Sequence, residues 1–121
     1  MTEFHQREAY FKKFNNIDTY KTEVPVYSRS VDAVILDKKC SNLSAIEFKL
    51  TNWKKVIEQA QNIKTAFDYI SICLMEPKRN NTKLLIIEEC KKYGIGLIFS
   101  NYINDSYLFE EILNPIKQEK I

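Results

Sequence analysis

Apolar positions along the chain change period several times, and each change marks an element. Phe4, Phe11 and Phe14 recur at helix-related spacings between about Thr2 and Asn15, with Lys12 and Lys13 elsewhere on the wheel and Glu8 bordering the Phe4–Phe11 face. That pattern predicts an opening helix. After the polar stretch Asn16-Ile17-Asp18-Thr19, three runs read as strands, Glu23 to Tyr27, Val31 to Leu36 and Ser44 to Leu50. The last two are separated by a turn over Asp37-Lys38-Lys39-Cys40-Ser41-Asn42. From Asn52 the period becomes helical: Trp53, Val56, Ile57, Ala60, Ile63 and Phe67 form one stripe, with Thr51 as the N-cap. The stripe should pack on the sheet, which puts Trp53 and Phe67 in the core.

Beyond it, Tyr69 to Met75 is a β-branched and apolar strand and Pro77 to Asn81 a turn. Thr82 then caps a helix running to about Lys92, ended by Gly94. Ile95 to Phe99 reads as a short buried strand, followed by a turn at Asn104-Asp105-Ser106 and a terminal helix from Leu108 to Leu113 before Pro115. The order is α-β-β-β-α-β-α-β, which predicts an α/β fold. Its mixed sheet is antiparallel at the start, parallel in its second half and flanked by helices on both faces. No repeat or Pro/Gly/Ser-rich linker interrupts it, and 121 residues suit one domain over residues 1–121.

Composition narrows the function more than the fold. With 45% hydrophobic and 28% charged residues the chain is of the globular class. Eighteen Lys and Arg against sixteen Asp and Glu leave a net charge of +2, so any basic surface for nucleic acid must be local. A single histidine, His5, and three scattered cysteines exclude the usual zinc spacings and a histidine-dependent triad. The two glycines, Gly94 and Gly96, open an apolar run rather than a phosphate-cradling loop. Cys40 reads as an exposed turn residue, and Cys73 and Cys90 as small core residues. Unpaired thiols, a polar opening unlike a signal peptide and no membrane-length apolar run together predict a cytoplasmic protein that makes no membrane contact.

The chemistry lies in the hairpin. A turn centred between Lys39 and Cys40 sets Leu36 opposite Leu43 and Asp32 opposite Glu47. Directly opposed residues have Cβ atoms roughly 5 Å apart, where unrelieved like charges are destabilising. Lys49, two residues beyond Glu47, points to the same side about 6 to 7 Å along the strand. Ala33, Ile35, Ile46 and Phe48 then fill the other side. Two close carboxylates form a hard-oxygen pocket suited to Mg²⁺ or Mn²⁺, to which a main-chain carbonyl near Phe48 could add a ligand. A lysine beside such a metal can orient water or stabilise developing negative charge, which is the equipment of phosphodiester hydrolysis. A register slip of one residue would put the two acids on opposite faces and dissolve the site.

Asp32, then Glu47-Phe48-Lys49, then a helix opening with Asn52-Trp53 and holding Glu58-Gln59-Ala60, resembles the PD-(D/E)XK nuclease superfamily, the restriction-endonuclease-like fold. The likeness spans roughly Glu8 to Phe99. It implies that Asp32 and Glu47 bind the metal and that Lys49 is catalytic. It also implies a glutamate on the first helix, matched by Glu8, as a further metal ligand, and a glutamine on the helix after the lysine, matched by Gln59, in the catalytic set. Ser30-Val31 precedes the aspartate where the superfamily's name advertises a proline. The expected activity is Mg²⁺- or Mn²⁺-dependent cleavage of nucleic acid, DNA above RNA, by a homodimer or within a larger protein complex. Lys54, Lys55 and Lys64, with Arg29, Lys38 and Lys39, are the cations available for a phosphate backbone, though Lys38 and Lys39 also suit an ordinary polar turn. The alternative is the same fold without cleavage, a binding module of a nucleic-acid processing or defence complex.

Overall fold

The computed structural model describes residues 2–16 and 19–119; Met1, and Ile17 and Asp18 of the connection expected after the first helix, lie outside them. The described residues form a mixed α/β structure of three α-helices and one six-stranded sheet. Helix α1 (Glu3–Lys13) starts at Thr2, whose hydroxyl accepts the His5 N–H, a side-chain N-cap. Strands β1 (Thr19–Val26), β2 (Arg29–Asp37) and β3 (Asn42–Lys49) form an antiparallel meander. Helix α2 (Trp53–Asn62) and a single 3₁₀ turn (Lys64–Ala66) lead to β4 (Tyr69–Met75), and α3 (Asn80–Tyr93) leads to β5 (Gly96–Ile103). These crossovers make β3, β4 and β5 parallel, and β6 (Ser106–Leu113) returns antiparallel beside β5. The strands lie in chain order across the sheet.

Two apolar cores sandwich the sheet. Val56, Ile57 and Ala60 of α2 and Ile86 and Cys90 of α3 pack on Ala45, Ile70, Ile72, Leu74, Leu97 and Phe99. On the opposite face Phe11 of α1 packs on Ala33, Ile46, Phe48, Cys73 and Ile98. Cys73 and Cys90 are buried and Cys40 is exposed, and all three are free thiols. No helix among the described residues is long and apolar enough to cross a membrane.

The structure corrects the sequence reading at four places. The segment from Leu108 to Leu113 is strand, not helix. Asn104 and Asp105 both take positive φ (51° and 60°), as a tight two-residue hairpin requires, and the chain turns straight back along β5. Tyr107 and Phe109, one period of two apart, then stack on each other. Helix α3 begins at Asn80 with Arg79 as its cap residue, rather than at Thr82. Helix α2 is capped not by Thr51 but by Asn52, which adopts a left-handed conformation (φ 59°) without a side-chain bond. Helix α1 is rolled away from the Phe4–Phe11 face: Phe4 is exposed, while Gln6, Arg7 and Phe11 are buried. Tyr10 supplies the reason, because it packs edge-on against both Phe48 and Phe109 and so fixes the roll. Gly94 ends α3 with a left-handed φ of 68°, the expected terminator.

Candidate active site at the fork of the β2–β3 hairpin

The hairpin register is the one on which the carboxylate pairing depends. Leu36 pairs with Leu43, Val34 with Ala45 and Ala33 with Ile46, and there the ladder stops. Alternation breaks at the next residue: Val31 belongs to the α2–α3 core although Ala33 belongs to the α1 core. The two strands therefore fork at Asp32. Across the fork the acids replace the missing ladder bonds, since the Asp32 N–H donates to Glu47 Oε1 at 3.0 Å and the Phe48 N–H donates to Asp32 Oδ2 at 2.8 Å. Each carboxylate is thus anchored by the opposite strand's backbone, which sets both side chains before any ligand arrives.

This placement carries an electrostatic cost. Glu47 has a side chain only 2% exposed, and burial raises its pKa above the ordinary carboxylate value. The Asp32 N–H pulls it back down, the Asp32 charge pushes it up, and Arg29 lowers it. Asp32 is raised as well, by desolvation first, against lowering by the Phe48 N–H, Arg7 and Arg29, with Glu3 adding repulsion. Arg29 offsets part of the strain directly through a 2.6 Å bond from its guanidinium to Glu47 Oε2. Both Glu47 oxygens are therefore engaged. Asp32 Oδ1 keeps no hydrogen-bond partner among the described residues.

Lys49 lies at the end of β3, its Nζ 3.9 Å from Glu3 Oε2, and Glu3 also accepts the Leu50 N–H at 3.3 Å. Gln6 is fully buried behind this contact. Its Nε2 donates to Ser100 Oγ at 2.8 Å and to the Lys49 carbonyl at 3.3 Å, while Ser100 Oγ donates to the Leu74 carbonyl. The first helix is by these bonds tied to the ends of β3, β4 and β5. Arg7, with its side chain 10% exposed, faces Asp32 electrostatically, is 3.8 Å from Glu23, and leaves its buried Nε unpartnered.

The structure therefore brings Asp32, Glu47 and Lys49 to one end of the sheet with Glu3, Gln6, Arg7 and Arg29. Glu8 is exposed and has no hydrogen bond or ion pair to this cluster; the first-helix carboxylate that reaches it is Glu3. Gln59 is half-buried and has no hydrogen bond to the cluster. Of the cations read as phosphate contacts, Lys38, Lys39, Lys54, Lys55 and Lys64 are exposed, and Arg29 is held on Glu47.

No protein-family model matches this chain, and no curated protein matches it. Among solved structures, it is similar to that of SfsA from Pyrococcus furiosus in complex with Ca²⁺. The TM-score is 0.48 at 10% identity, over 93% of this chain. This chain spans 61% of the length of that one.

Among the described residues no group of three or more His, Cys, Asp and Glu side chains is arranged to hold a metal ion. The donors that the fork offers are two carboxylates. That set suits Mg²⁺, which takes one or two carboxylates and completes its shell with water and substrate phosphate. It falls short of a zinc site, which takes three or four protein ligands, chiefly thiolates and imidazoles. The free Asp32 Oδ1 and the desolvated charge pair fit such a cation, provided that Arg29 leaves Glu47.

Proposed function

We propose that this protein is a metal-dependent nuclease of the restriction-endonuclease-like, PD-(D/E)XK type, cleaving phosphodiester bonds in DNA with Mg²⁺ or Mn²⁺ in the cytoplasm. The observation that supports it best is the reciprocal bonding of Asp32 and Glu47 across the strand fork, with Lys49 two residues further along β3. The two acids serve the backbone by accepting the Asp32 and Phe48 N–H groups, and the like charges they bring together in a desolvated fork are also what would attract a cation.

Asp32 and Glu47 would hold the cation. Bound there, a divalent ion supplies Lewis acidity to a phosphoryl oxygen and lowers the pKa of a water. Lys49 orients the attacking water or meets the charge growing on the phosphate, and Glu3 and Gln6 position the end of β3 that carries it. Arg7 presents largely buried positive charge that acts on Asp32 and would add to the attraction for an anionic backbone. In this reading cleavage is directed by DNA structure, strand ends or a partner protein, the chain acting as a homodimer or in a larger complex.

A second reading has an observation of its own. Arg29 and the Asp32 N–H together occupy both oxygens of Glu47, which is how a retired site would be neutralised. In that reading the domain binds nucleic acid in a larger complex without cutting. A cleavage panel separates the two: linear, circular, single-stranded and branched DNA, and RNA, each with Mg²⁺, Mn²⁺ or EDTA, beside the Lys49→Ala variant. Metal-dependent cutting that disappears in the variant supports the nuclease. A protein that neither cuts any substrate nor binds Mn²⁺ is the binding module.

A further inference from the structure

The geometry points to a second ligand site, a pocket for one unpaired nucleobase of the DNA strand, immediately beyond the carboxylate fork. A cavity of about 420 Å³ opens at the carboxyl ends of the parallel strands β3, β4 and β5, between the starts of α2 and α3. The volume is within the range of small-molecule sites. Leu50, the residue after Lys49, forms part of its wall, so an occupant lies one residue along the chain from the proposed catalytic lysine. This inference rests on the nuclease reading for its substrate class.

The walls fit a flat, polar-edged heterocycle. Trp53 and Tyr102 line the cavity, and Tyr102 is 44% exposed with Tyr107 packed behind it at 4.8 Å. The same wall carries a bonded polar group: Glu76 accepts from Lys83 Nζ through Oε2 and from Asn101 Nδ2 at 2.8 Å through Oε1. Both carboxylate oxygens are spent and the charge is neutralised within the wall, so the pocket has no call for a cation. Because a carboxylate can only accept, Asn101 must turn its amide nitrogen to Glu76, and its carbonyl oxygen remains as an acceptor with no partner among the described residues. Aromatic faces plus one oriented acceptor are what reads the edge of an unstacked base. Exposed Lys78 on the rim would meet the attached phosphate. A base still paired in a duplex cannot enter, so the pocket selects single strands, frayed ends or an extruded nucleotide.

Trp53 is the only tryptophan in the chain, and it lines both this cavity and a neighbouring groove with Lys54, Glu58 and Glu89; Tyr102, which lines the cavity and not the groove, tells the two apart. The experiment titrates the full chain, in EDTA, with a short single-stranded deoxyoligonucleotide and with a blunt duplex of the same sequence. Saturable quenching is expected with the single strand, and binding about tenfold or more weaker with the duplex. Tyr102→Ala should weaken single-strand binding about tenfold, the usual loss for one stacked base, and Tyr102→Phe should retain it. No saturable quenching, equal affinity for the duplex, or unchanged affinity in Tyr102→Ala overturns the assignment. EDTA makes the result independent of cleavage: a protein that cuts DNA without quenching keeps its proposed function and loses this pocket. One that quenches without ever cutting keeps the pocket and loses the nuclease.

Discussion

Asp32→Asn separates the two roles of the fork, because the variant keeps the shape and removes one charge. The asparagine carbonyl can still accept the Phe48 N–H that Asp32 Oδ2 now takes, so the fork stays anchored. What disappears is repulsion between two desolvated carboxylates, and both are raised in pKa by burial and hydrogen-bonded as they are. A carboxylate whose pKa is raised on folding binds its proton more tightly in the folded state. It therefore adds stability below the ordinary carboxylate range, near pH 4, and loses it as pH rises through the raised value. At neutral pH the parent carries this penalty and the variant does not carry the Asp32 share. Opposed like charges cost about 0.2 to 1 kcal/mol, so metal-free Asp32→Asn should melt about 1 to 4 °C above the parent at pH 7. Near pH 3, where the acid is neutral in both states, the two melting curves should converge. Adding Mn²⁺ should reverse the order, since saturation at about 100 times Kd stabilises the parent by about 2.7 kcal/mol and the variant gains little. Differential scanning fluorimetry in EDTA and in Mn²⁺, at both pH values, reads all four conditions. A variant less stable than the parent in EDTA at pH 7 would show that Asp32 acts there as a favourable anion and that the fork is not strained by charge.

Arg29→Gln should have the opposite signature. It strips the counter-ion from a glutamate whose side chain is 2% exposed, costing about 1 to 3 kcal/mol without metal, less than for a fully buried pair because Arg29 is itself 24% exposed. Calorimetric titration should at the same time show Mn²⁺ binding several-fold tighter, because the cation no longer competes with the guanidinium. Glu3→Gln should lower metal-dependent cleavage several-fold through a less well anchored Lys49, whereas Glu8→Gln should leave it within twofold; equal losses in a single-turnover assay would return Glu8 to the site. Gly96→Ala should destabilise by about 1 to 3 kcal/mol in chemical denaturation, because the new Cβ would stand 2.3 Å from Ser71 Oγ and 2.8 Å from Pro115 Cδ. Ser71→Gly in the same chain should recover only part of that loss, with Pro115 still in the way.

Where the chain folds by short-range rules, the sequence is enough. The β2–β3 hairpin has alternating apolar residues and a four-residue polar turn, and a period of two leaves one register that buries Ala33, Ile35, Ile46 and Phe48 together. The α2 stripe and the Gly94 terminator follow from the same kind of local constraint. The last segment does not, because Leu108, Ile112 and Leu113 sit at spacings a helix also favours. What decides it is the Asn104–Asp105 turn with its two positive φ values, a backbone property that commits the next eight residues to pairing with β5. Propensity yields there to the exposed edge that β5 would otherwise present.

The site divides along the same line. That Asp32, Glu47 and Lys49 lie near one another is legible from the hairpin register that the turn sets, but alternation breaks at Asp32, and it is the fork rather than strand parity that turns each acid onto the opposite backbone. The helical contributors are not legible, because each residue advances the wheel by about 100° and a modest roll exchanges one set of inward residues for another. Taking the Phe4–Phe11 stripe as the inner face directs attention to Glu8. Taking Tyr10, Phe11 and Phe14 instead rolls α1 so that Glu3, Gln6 and Arg7 face the sheet ends, and only contacts distant in sequence, Tyr10 on Phe48 and Phe109, choose between them. One local signal does favour the second roll. Glu3 and Arg7 stand four apart with Gln6 between them, a polar stripe on a helix that also carries Phe11 and Tyr10, and a polar stripe beside an aromatic one belongs either to solvent or to a site. Gln6 of that stripe is wholly buried and bonded to both Lys49 and Ser100, so it faces the sheet ends.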